Sequence, residues 1–272
     1  TKTELDFINN NKVFKVYYDP KWAPLESTDP ETKKAVGAVI DILNIVSQKS
    51  GIEFDYVTTD SYATNIEKVK QKNGYILSAV AFDYKWANKN NIHLTKPFID
   101  VTLAYVFKDD IKLNKIALPE SFFTVQFIKE KNPQSQIITY KNIKECLDAV
   151  NSGIADVTIL NAYELNYFFS FPKYHKLNFS NIPNFTESFS IGISKDAHPL
   201  LYSIINKTLN SISEEEITNA IKNNTHRSSK DSFLDLAYTN PLDFFLILFA
   251  IRLIILNKIN KTNFDYLFVI RG

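Results

Sequence analysis

The 272-residue chain predicts an α/β protein built as two similar halves. Strand and helix patterns alternate from Val13 onward, the alternation restarts after Val101, and an isolated apolar strand returns at Phe189. Hydrophobic residues make up 45% of the chain and charged residues 22%, which excludes a disordered or fibrous protein and supplies real cores.

Residues 13–18 form the first expected strand, closed by Asp19-Pro20 because proline cannot donate inside a ladder. A polar loop with prolines follows over 21–30. Residues 36–49 carry apolar side chains at 36, 39, 40, 43 and 46, a helical spacing stopped by Gly51. Residues 52–57 alternate as a half-buried strand, 65–72 form a short helix, and 75–82 an apolar strand. The second half repeats this with strands at 101–107, 115–118, 136–139 and 156–160 and helices at 121–131 and 143–151. A strand at 189–194 and helices at 199–211 and 214–223 complete the pattern, and 225–230 read as a polar linker.

Residues 244–256 differ in kind, being apolar all round except for Arg252. They predict a helix outside either half's core, covered by lipid or by a second copy in a homodimer. Thirteen residues fall short of the ~17–25 that span a bilayer. Lys258 and Lys261 would suit a cytoplasmic flank. The chain contains no Met and starts at Thr1, so an initiator and a longer leader are expected outside it.

Charge excludes more than it selects. With 31 Lys and Arg against 30 Asp and Glu, nothing calls for a nucleic-acid partner. A single cysteine, Cys146, excludes an internal disulfide, a multi-cysteine zinc site and a CxxC redox motif; its place beside a helical apolar stripe reads as core packing. No nucleophile elbow, phosphate loop, dinucleotide fingerprint or HExxH zinc motif is present, and the four histidines stand apart from other ligand-type residues. The expectation is a binding module without cofactor or metal, not an enzyme.

In an α/β sheet, ligands bind at the carboxyl ends of strands. Residues 19–25, 78–83, 121–124 and 161–164 occupy such places. An ordered set of segments there resembles the type II periplasmic binding protein family, the bacterial extracellular solute-binding proteins of family 3. The set comprises Trp22-Ala23-Pro24, Gly37-Ala38-Val39-Ile40-Asp41-Ile42, Leu94-Thr95-Lys96-Pro97-Phe98, Gly153-Ile154-Ala155-Asp156-Val157 and Ile191-Gly192-Ile193-Ser194-Lys195-Asp196. The resemblance covers about residues 12–224.

It implies two lobes joined by two hinge crossings near 103–108 and 190–195, with separate sheets. Lobe 1 would hold 12–104 and 195–230, lobe 2 would hold 107–190, and a hydrophobic helix and tail would occupy 240–272. Ligand would sit between the lobes on Asp19, Trp22, Ser78, Val80, Trp86, Ser121, Thr124 and Asn161. Trp22 and Trp86 equally fit plain packing, and Ser121 and Thr124 equally fit helix capping.

Departures from the family pattern bear on the ligand. Amino-acid receptors of this family carry an Arg for the ligand carboxylate where this chain has Trp86, and an Asp for the ammonium where it has Asn161. The resemblance therefore implies a small-molecule ligand, uncharged or aromatic, rather than a standard α-amino acid held in the usual way. The hydrophobic tail favours the extracytoplasmic sensor domain of a membrane-anchored bacterial signalling protein, with a diguanylate cyclase or histidine kinase output. The alternative is a free solute-binding protein of an ABC-type importer.

Overall fold

The computed structural model describes residues 1–71, 76–120, 125–225 and 240–269. The chain divides into two compact units, residues 1–170 with 176–227 and residues 171–175 with 228–272.

In the first unit a leading helix, α1 (Lys2–Asn10), precedes β1 (Val13–Tyr17). A small antiparallel sheet follows, made of β2 (Lys21–Trp22), β3 (Glu26–Thr28) and β4 (Ala35–Val36). The chain continues with α2 (Ala38–Ser50), β5 (Glu53–Val57), α3 (Tyr62–Lys70), β6 (Ile76–Ala81), α4 (Tyr84–Lys89) and β7 (Ile92–Leu94). β1 lies between β5 and β6 and runs parallel to both. Its carboxyl end is therefore a point where the chain winds away in two directions, which opens a crevice.

Gly37 makes the turn into α2 possible. Its φ is +131°, and an added Cβ would lie 2.3 Å from the Leu25 carbonyl oxygen. With no side chain in the way, the Ala38 and Val39 N–H groups donate to the Pro24 and Leu25 carbonyls at 3.2 and 3.0 Å. These bonds satisfy two amides that a helix start leaves open. Trp22-Ala23-Pro24 and Gly37-Ala38 thus form one joint.

The second half contains β8 (Ile99–Phe107), β9 (Lys115–Pro119), α5 (Val125–Lys131), β10 (Gln136–Tyr140), α6 (Ile143–Asn151), β11 (Val157–Asn161) and α7 (Ala162–Phe168). β9 lies between β10 and β11, parallel to both, so the same winding point recurs. The long β12 (Asn178–Ser194) returns, and α8 (Pro199–Asn210) and α9 (Glu214–Thr225) pack back on α2.

β8 and β12 run antiparallel and belong to both halves. Residues 178–181 of β12 pair with 104–107 of β8, next to β11, while 189–193 pair with β6. The pairing therefore passes through β8 and β12 as one hydrogen-bonded path, correcting the expectation of separate sheets. Residues 178–188 of β12 were not expected as strand. Pro183 interrupts their pattern, and the register shifts between Asn181 and Thr186 where the ladder is broken. Helices α1, α4 and α7 were likewise not anticipated; at six and seven residues α4 and α7 fall short of two full turns.

The second unit contains a 3-10 turn at Pro172–Tyr174 and the helix α10 (Pro241–Val269). The apolar residues 244–256 fall within α10, and most of them are exposed. Yet among the described residues no helix is long and apolar enough to cross a membrane. The run ends at Asn257-Lys258, so membrane attachment through this helix, expected from its composition, is not supported.

Candidate functional site

The two winding points face a common cavity of about 110 Å³. One wall comes from residues 19–22 after β1 and from 79–86 at the end of β6 and on α4. The facing wall comes from Pro119, from 141–143 after β10, and from Asn161 and Glu164 after β11; Glu187 and Phe189 of β12 also line it.

Five of the eight expected ligand residues line this cavity: Asp19, Trp22, Val80, Trp86 and Asn161. Ser78 does not. It is fully buried and its Oγ donates to the Tyr17 carbonyl at 3.0 Å, tying β6 to β1. It lies two residues before the cavity-lining Val80, within the part of β6 that is covered by β1. Ser121 and Thr124 lie outside the described residues.

Trp22 both packs and lines the cavity. Its ring meets Phe189 edge-on, with centroids 4.9 Å apart. Trp86 packs partly against the cluster containing Tyr17, Leu77 and Val80. Its helix is started by Asp83, whose Oδ1 accepts from the Lys85 and Trp86 N–H groups at 2.7 and 3.1 Å. That cap fixes the ring against the cavity.

Asn161 caps α7. Its Oδ1 accepts from the Tyr163 and Glu164 N–H groups at 3.0 Å each, and Glu164 Oε2 accepts from the Asn161 N–H at 2.8 Å. The oxygen is thus committed to the helix, leaving the Nδ2 donor for the cavity.

The cavity is lined by ionisable groups that the ligand expectation, which rested on Trp86 and Asn161, did not include: Asp19, Asp83, Glu164 and Glu187 with Lys21 and Lys141. Burial pushes Glu164 up to about 7, against the pull of the Asn161 N–H and the Trp22 indole. Burial and the neighbouring Glu164 push Glu187 up to about 9. Asp19 is also raised, chiefly by burial. Behind this wall, the fully buried Glu26 is pushed up to about 8; its Oε2 accepts from the Asp19 N–H at 2.7 Å.

Sequence reasoning placed Glu164 within the candidate segment 161–164 without singling it out, and it missed Glu187. Glu164 stands three residues after Asn161, a capping-box spacing that reads as purely structural. Glu187 sits in the part of β12 that showed no strand pattern. Among the described residues no group of three or more His, Cys, Asp or Glu is arranged to hold a metal ion.

Residues 14–225 match the bacterial extracellular solute-binding proteins, family 3. The chain is 28% identical over 232 residues to the sensor protein EvgS of Escherichia coli O157:H7, covering 80% of this chain but only 18% of that protein. The fold is similar to the Bordetella pertussis BvgS periplasmic VFT2 domain, with a TM-score of 0.72 and 19% identity over 82% of this chain and 98% of that one. It is also similar to an ancestral arginine-binding protein bound to arginine, with a TM-score of 0.68 and 17% identity over 78% of this chain and 97% of that one.

Proposed function

Because the chain belongs to the bacterial extracellular solute-binding proteins of family 3, we propose that it is the ligand-binding sensor domain of a bacterial signalling protein, facing the extracytoplasmic side of the cell membrane. The observation that carries this reading is the cavity lined from both halves at the carboxyl ends of β1, β6, β9 and β11. The likeness to sensor proteins, of which this chain spans less than a fifth, supports a module coupled to an output elsewhere in a larger protein. A histidine kinase or a diguanylate cyclase would serve as that output.

In this reading residues 12–104 with 195–230, and residues 107–190, act as lobes that bend about β8 and β12. Ligand in the cavity contacts both and favours the closed arrangement by its differential affinity for it. The ligand is not an ordinary α-amino acid held in the usual way, since Trp86 offers no guanidinium to a carboxylate. Titration calorimetry with the twenty amino acids tests this point. Weak or absent binding is expected, whereas micromolar binding abolished by Asn161→Ala would overturn it. The likeness to an arginine-binding structure favours a second reading, a free solute-binding protein of an ABC-type importer. Binding to a transport partner, rather than a ligand-dependent change in a linked kinase or cyclase, would select it.

A further inference from the structure

We propose that the cavity takes an organic cation without a carboxylate, an alkylamine or guanidine, with its charge on Glu187 and Glu164 and its chain against Trp22, Trp86 and Phe189. The inference rests on the ligand-binding reading above and names the ligand class.

Its starting point is Glu187. The side chain is only 9% exposed, lines the cavity, and makes no hydrogen bond or ion pair with any described residue. A buried carboxyl group without a partner is costly, and a ligand that supplies one recovers that cost. Glu164, 2% exposed, lies close enough to raise Glu187 electrostatically; its Oε2 accepts from the Asn161 N–H, and the Trp22 indole also donates to this carboxyl. Both carboxyl groups line the same cavity, with Glu187 wholly open to N–H donors and Glu164 beside it adding negative charge when ionised.

The surroundings select among cations. Asp83 is spent on capping α4, Asp19 Oδ1 accepts from the Lys21 N–H, and Lys21 and Lys141 stand at the cavity lining. Among the described residues no third carboxylate closes on Glu164 and Glu187, as a hard metal ion with its six or more oxygen ligands would require. Indole and phenyl rings instead suit a soft, weakly hydrated cation and an alkyl chain. The volume of about 110 Å³ holds roughly seven to eleven water-sized groups, the scale of a small diamine or guanidine. A carboxylate on the ligand would meet these acids with no arginine among the described lining residues to receive it.

Binding a fixed positive charge requires Glu187 and Glu164 to be ionised. In the empty cavity both hold protons into the neutral range or above, so the cation displaces protons to solvent. Affinity should therefore rise with pH. A neutral ligand accepting a hydrogen bond from protonated Glu187 would show the opposite slope.

Titration calorimetry on the whole chain tests the inference with agmatine, putrescine, L-arginine and butane-1,4-diol, the last an uncharged analogue of putrescine. Agmatine or putrescine should bind with a Kd of about 1–100 μM, at least about tenfold tighter than L-arginine and about 100-fold tighter than the diol. Binding heat should vary with buffer ionisation enthalpy, and affinity should increase between about pH 6 and about pH 9. Glu187→Gln should weaken amine binding at least about tenfold while the protein stays folded, and Glu187→Asp should restore part of it. The inference is overturned if neither amine binds, if Glu187→Gln binds them unchanged, or if affinity falls as pH rises. Binding of the diol but not the amines, lost in Trp86→Ala, would overturn the cation while leaving the cavity a ligand site.

Discussion

Two buried carboxyl regions flank the cavity, and they differ in what they do with the same physical cost. On one side Glu26 is fully buried behind Asp19 and accepts its backbone N–H at 2.7 Å; it does not line the cavity. On the other side Glu187 reaches the cavity and has no partner among the described residues. Burial raises both carboxyl groups strongly, to about 8 and about 9. A raised carboxyl is therefore not by itself a mark of a binding site. Glu26 Oε1 is itself buried without a hydrogen-bond partner among the described residues, so access to the cavity is what separates Glu187 from Glu26.

The contrast is broken most readily at Glu26. Glu26→Ala should destabilise the first unit by about 3 kcal/mol, because it empties a packed position and strands the Asp19 N–H. Denaturant unfolding measures this. Glu187→Gln should change stability by less than about 1 kcal/mol at neutral pH, since it removes no internal hydrogen bond. Equal losses for the two variants would erase the distinction.

A pH series sharpens it. In the folded, empty protein Glu164, Glu26 and Glu187 hold their protons up to about 7, 8 and 9, whereas an unfolded chain releases them near the ordinary value of 4.5. Between those limits the folded state binds more protons than the unfolded state, so stability should fall as pH rises from about 5 to about 9. Glu187→Gln and Glu26→Gln should each flatten part of that fall, the former over the higher range. Thermal unfolding at stepped pH reads this as a melting temperature that drops by several °C, at ~2–4 °C per kcal/mol for a domain of this size.

Smaller still is the effect of the strand joint beside Glu26. Ser78→Ala removes the bond to the Tyr17 carbonyl and should cost about 1 kcal/mol without weakening ligand binding more than about twofold. A larger effect on binding would return Ser78 to the cavity wall.

The two regions also differ in how far the amino-acid pattern exposes them. Alternation along β5, the 3.6-residue spacing of α2 and the Gly51 stop make the first half legible, because each element buries one regular face. The Trp22-Ala23-Pro24 and Gly37-Ala38 segments point to a joint that the structure explains through a glycine turn and two amide bonds. The positions of Asp19, Trp22, Val80 and Asn161 at the cavity follow from the logic of strand ends, whereas Trp86 was named only through the family resemblance.

Glu187 was hidden for a physical reason. β12 crosses between halves, changes register, and contains Pro183, so its neighbours change along its length and no single face repeats. Glu164 was hidden differently, because its capping bond to Asn161 is a complete local explanation for an acid at that position. Which cavity such an acid also faces depends on tertiary contacts that local spacing does not encode.

The central claim, that the cavity is a ligand site whose occupation draws the halves together, is tested most directly by a distance across it. Spin labels at Lys85→Cys on α4 and Lys144→Cys on α6, in a Cys146→Ser background, report on exposed positions of the two walls. Pulsed electron spin resonance with saturating agmatine should show a shorter and narrower distance distribution than the empty protein. The change should vanish in Glu187→Gln at the same agmatine concentration. An unchanged distribution in protein that calorimetry shows to be fully occupied would contradict the claim.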